Sequence, residues 1–109
     1  MRVQAGLLAT AIILGAAGTA APAAAEPPSF SVRNASQATV SSVLVSPDYR
    51  RTWSDNRLDD SIPPGGEQRI VVSDGNGHCF YDVLIADTAG AEQEIWGLNL
   101  CAAPLVEHR

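Results

Sequence analysis

The chain contains no lysine, and beyond residue 25 six arginines stand against twelve carboxylates, a net charge of −6 for that part. An acidic surface of this kind repels phosphate backbones and anionic lipid headgroups, which argues against nucleic acid and membrane surfaces as partners. Only two histidines are present, and no serine sits in a Gly-x-Ser-x-Gly elbow. The two cysteines, Cys79 and Cys101, lie too far apart for a Cys-x-x-Cys redox or zinc motif. Helical periodicity and internal repeats are missing too, so a helix bundle or a solenoid is excluded.

Carboxylates are also absent from the first twenty-five residues. Arg2 gives a short positive start, Ala5 to Ala21 is apolar or small throughout, and Ala23-Ala24-Ala25 offers the small-x-small site of a signal peptidase. A retained anchor would need about 20 strongly apolar residues, and alanine, glycine and threonine dilute the second half. The sequence therefore predicts a signal peptide over 1–25 and a single exported domain over 26–109, in the periplasm or outside the cell. Paired arginines do not precede the apolar run, as a twin-arginine signal requires, and no cysteine near Ala25 suits a lipoprotein.

An exported chain this small with two cysteines is expected to pair them. A Cys79–Cys101 bridge closes a loop of about 22 residues and stabilises by roughly 3 kcal/mol in the chain-entropy model, a large share of the ~5–15 kcal/mol typical of a domain.

What remains reads as strand after strand. The centre is His78 to Ala86, an aromatic and β-branched run that follows the turn Asp74-Gly75-Asn76-Gly77. Cys79, Tyr81, Val83 and Ile85 share one face; Phe80, Asp82, Leu84 and Ala86 share the other, which predicts an interior strand with Asp82 as its exception. Before it come Ser29–Val32, Thr39–Val45 and Gln68–Val72. After the turn Asp87–Gly90 comes Glu92–Leu100, with Trp96, Leu98 and Leu100 in alternation. Cys101 has the wrong parity for that face, so either Gly97 is a bulge or Cys101 lies past the strand end. Pro104–Glu107 can add a short edge strand. The expected fold is all-β, a small antiparallel sandwich or barrel of five to six strands.

Residues 48–66 form a long irregular stretch, and a loop of that length is either functional or packed over the core. Tyr49, Arg50, Arg51, Trp53 and Asp55 are the candidate binding loop; Trp53, Leu58 and Ile62 are the expected anchors that fold it onto the sheet. Trp53 beside two arginines can stack on a sugar or a cationic ligand, although a tryptophan anchoring a loop is the commoner arrangement.

Asp82 requires a partner in an interior strand. An ion pair with Arg33, Arg50, Arg51 or Arg69, or backbone N–H groups of the long loop, would supply one. The catalytic alternative makes Asp82 the acid of a small hydrolase with Asp55, Asp59 or Asp60. A metal reading joins His78 to Asp74 and Asn76, but the spacing fails the calcium-loop pattern and too few ligands converge. Asn34-Ala35-Ser36 fits the N-glycosylation pattern, a frequent chance match.

Several landmarks recur in order: Phe30-x-Val32-x-Asn34, Ser46-Pro47, Trp53 then Leu58, Ile62-Pro63-Pro64-Gly65, Cys79-x-Tyr81-Asp82-Val83 and Leu98-x-Leu100-Cys101. Together they resemble an uncharacterised family of small exported bacterial proteins, with departures at Asn99, where aspartate is usual, and in the Pro63-Pro64 pair. The resemblance spans nearly all of residues 26–109 and implies export, the β-fold and the disulfide, with no activity attached. The expectation is a non-enzymatic binding module without cofactor or metal, whose partner is a protein or small ligand of the envelope or exterior.

Overall fold

The computed structural model describes residues 26–47, 52–73 and 77–109. The signal segment, Tyr49, Arg50 and Arg51 of the candidate loop, and the Asp74-Gly75-Asn76 turn lie outside them. Six strands follow one another: β1 (Ser29–Asn34), β2 (Val40–Pro47), β3 (Glu67–Val71), β4 (Phe80–Asp87), β5 (Glu92–Asn99) and β6 (Leu105–His108).

The strands form two three-stranded sheets, ordered β3-β1-β6 and β2-β4-β5. Alternation builds the space between them. Phe30, Val32, Ile70 and Val106 of the first sheet meet Val43, Val45, Tyr81, Val83 and Ile85 of the second, all buried in one core. The fold is thus an all-β sandwich, with β4 in the middle of its sheet as its composition predicts. Pairing is antiparallel except between β6 and β1, which run parallel with Val32 opposite Val106. That parallel pair was not expected. It needs a crossover, because parallel neighbours cannot be joined by a hairpin.

The crossover is the segment after β5. Leu100–Ala102 makes a 3₁₀ turn, capped by the Asn99 side chain, which accepts from the Cys101 N–H. Leu100 drops into the core at 1 % exposure, and Ala103 turns back at φ 49°. The Pro104 carbonyl then accepts from the Ser31 N–H, delivering the chain beside β1. Only an acceptor is needed at position 99, so aspartate would serve as well as asparagine.

The disulfide joins Cys79, just before β4, to Cys101 in this turn, with Cα atoms 5.1 Å apart. Among the described residues no helix is long and apolar enough to cross a membrane.

Candidate functional site

Residues 52–66 do not close over the face of the sheet as a lid. They run along the free edge of β2. The Ser54 N–H donates to the Val45 carbonyl and the Arg57 N–H to the Val43 carbonyl. In return the Val45 N–H donates to Ser54 Oγ and the Val43 N–H to Asn56 Oδ1. Further along, Val40 and Ile62 exchange both backbone hydrogen bonds. The edge groups that would otherwise template aggregation are satisfied by this irregular strap. Ile62 reaches the core and Leu58 packs against it, as expected of anchors. With its amide oriented to satisfy both groups, Gln68 of β3 meets the backbone of Asp59 and Asp60, tying the strap to the other sheet.

Trp53 enters from this strap and meets Trp96 of β5, ring centroids 6.5 Å apart and planes tilted by 48°. The simple alternation of β5 puts Trp96 on the same face as Leu98 and Leu100; the structure corrects this. Between the pairs Val83–Ile95 and Tyr81–Leu98 the register slips, so Trp96 and Gly97 together oppose Asp82. Gly97 takes φ 64°, a conformation glycine adopts without strain. This bulge returns Leu98 to the core side and leaves Trp96 65 % exposed on the outer face. It also resolves the parity conflict at Cys101, which lies in the turn past the strand end as well.

β2 and β5 flank β4, so the two indoles approach each other from opposite edges of a three-stranded sheet. The row between them is Ser46 and Asp82, which pair across β2 and β4 and are 3 % and 8 % exposed. Asp82 Oδ1 accepts from the Gly97 N–H at 2.9 Å. A backbone amide of the bulge therefore holds the carboxylate that the sequence left needing a partner. Among the described arginines none forms an ion pair with it; Arg69 pairs with Glu26 and Arg109 with Glu107. Phe80, on the same face, is half exposed. Asp55 is exposed on the strap, whereas Asp59 and Asp60 lie where the strap meets β3.

His78 is half-buried beside Cys79. Among the described residues no three His, Cys, Asp or Glu side chains converge to hold a metal ion. Asn34 is fully buried: its Nδ2 donates to the Ala38 and Ile62 carbonyls, and its Oδ1 accepts from the Ser36 N–H and hydroxyl. A side chain so committed shapes the turn into β2 and offers no amide to a glycan.

Sequence reasoning missed one polar centre. His108 is 1 % exposed; its Nε2 lies 2.8 Å from Asp87 Oδ2 and its Nδ1 3.0 Å from Gln93 Oε1. The second Asp87 oxygen accepts from the Ala89 and Ala91 N–H groups of the β4–β5 turn. The hydrogen bond from His108 and these backbone donors hold the Asp87 carboxyl below its usual value of 3.8, against the upward push of burial. No substrate reaches so enclosed a pair, and it reads as a fastening. The only signal in the sequence was a histidine two residues from the last strand's valine.

Among the described residues an open cleft of about 390 Å³ lies beside Asn34 and Arg109, and another of about 230 Å³ beside Pro63 and Gln68. Compared with protein-family models, with curated proteins and with solved structures, the chain matches none of them.

Proposed function

We propose that this chain is an exported, non-enzymatic binding module, and that the outer face carrying Trp53 and Trp96 is its binding surface. The observation that supports this reading is the exposed Trp96 indole, backed by the half-buried Trp53, on a braced sheet. Large rigid aromatics give contact area at small entropic cost, which is why tryptophan dominates interface energetics. The strapped edge of β2 and the disulfide hold the platform still, so little ordering is needed on binding.

The export half of the proposal rests on residues 1–25 and on the disulfide, which persists in oxidising compartments. The same features support membership in the family of small exported bacterial proteins that the landmarks resemble. N-terminal sequencing of protein from the culture medium or periplasm is expected to start at Glu26.

The binding half is tested by crosslinking in the producing cell with the wild type and with Trp96→Ala. A species captured by the first and lost with the second is expected. Identical capture profiles would remove the Trp53–Trp96 face from consideration.

A further inference from the structure

We infer that the occupant of the Trp53–Trp96 face is a basic polypeptide segment, whose arginine or lysine side chains lie over the indoles; this rests on the binding-module reading above. Three observations converge. The first is shape. Trp96 stands 65 % exposed on the outer face of its sheet, with the half-buried Trp53 ring against it. A large exposed aromatic on the outer face of a sheet supplies the kind of contact area on which polypeptide partners are anchored.

The second is charge on that face. Register places Glu92 opposite Ala86 and Glu94 opposite Leu84, on the same side as Trp96, with Asp82 in the adjoining row. Both glutamates are exposed. Among the described residues, which leave out Arg50 and Arg51, no arginine occupies these rows. Arg33, Arg69 and Arg109 belong to the other sheet or follow its last strand, and Arg57 follows the covered edge of β2. Carboxylates beside π-faces attract a cation twice, through Coulomb attraction and through the ring quadrupole.

The third is the balance of the whole chain. With no lysine and a charge of −6 beyond residue 25, a second copy of the chain is repelled while a basic partner is steered in. An arginine stem also covers apolar surface while its head stays hydrated, which matches a face mixing Leu84, Trp96 and Glu94.

The test is calorimetry and tryptophan fluorescence with four short synthetic peptides of alternating glycine and, respectively, arginine, lysine, glutamine or glutamate. The arginine and lysine peptides are expected to bind and the other two not. Trp96→Ala should weaken binding about tenfold, and Glu94→Gln roughly threefold. Glu67→Gln, an exposed carboxylate of β3 in the opposite sheet, should leave it unchanged. Equal weakening by Glu67→Gln and Glu94→Gln would mean diffuse attraction to an acidic protein and would overturn the inference. Binding of the glutamine peptide as tightly as the arginine peptide, still dependent on Trp96, would overturn the basic partner and keep the surface. No Trp96-dependent binding of any peptide would overturn the inference, leaving the crosslinking comparison to decide the module reading separately.

Discussion

His108 and Asp87 join the two sheets through a buried hydrogen bond of 2.8 Å between Nε2 and Oδ2. Asp87 ends β4, the middle strand of one sheet, and His108 ends β6, an edge strand of the other. Gln93 of β5 completes the link, since its Nε2 donates to the Glu107 carbonyl while its Oε1 faces the imidazole. A short parallel edge strand has little cohesion of its own, so this fastening holds the C-terminal end of the sandwich together.

Replacing His108 with alanine leaves the Asp87 carboxylate buried without its partner. The melting temperature is expected to fall by about 10–20 °C, measured by circular dichroism. His108→Gln keeps a donor near the carboxylate and should recover part of the loss.

Acid should weaken the same fastening. The folded Asp87 carboxyl sits below its ordinary value of 3.8, chiefly through the His108 hydrogen bond. A group depressed in the folded state stabilises fully above its unfolded value, and the contribution vanishes as pH falls through the folded one. Melting temperature plotted from neutral pH downwards is thus expected to drop below the ordinary carboxylate range. Asp87→Asn should start lower at neutral pH and lose less on acidification.

The disulfide closes the loop between residues 22 apart in sequence, so removing it frees the unfolded chain. Replacing Cys79 and Cys101 by serine together should cost roughly 3 kcal/mol, read from urea denaturation. The fold should survive the loss in spectroscopic outline, because Leu100 and Tyr81 stay in the core.

Gly97→Ala tests the bulge. A Cβ there meets nothing within 4 Å, so its cost comes from the φ of 64° alone. A loss of about 1–2 kcal/mol is expected. The near-ultraviolet dichroism of the coupled indoles should change with it, since Gly97 sets the direction of Trp96. An unchanged spectrum and stability would contradict the bulge.

Asn34→Ala removes four hydrogen bonds at once and leaves the buried Ile62 carbonyl with the Val40 N–H alone. A destabilisation of about 2–3 kcal/mol is expected, together with faster amide exchange at Val40 and Ile62, where the strap is bridged to β2.

The strands were legible because burial on one side of a sheet leaves a period of two in the chain. Phe30 and Val32, Tyr81, Val83 and Ile85 all display it. Boundaries moved by a residue or two, as with β4, which begins at Phe80 and not at His78. The long loop was legible as a segment and not as a conformation. Its order comes from hydrogen bonds to the edge of β2, and edge amides leave no trace in side-chain patterning. Asp82 was recognised as needing a partner, yet the partner is the backbone of Gly97, which carries no side-chain signature.

By itself the sequence determined the all-β class, the strand succession and the cysteine pairing, since alternation, turn residues and cysteine number are properties of the chain read locally. Tertiary structure alone decided which strands share a sheet, the parallel β1–β6 pair, the indole contact and the His108–Asp87 fastening. These depend on where a crossover returns and where a bulge turns one residue outward, and such choices are made by whole surfaces meeting in space.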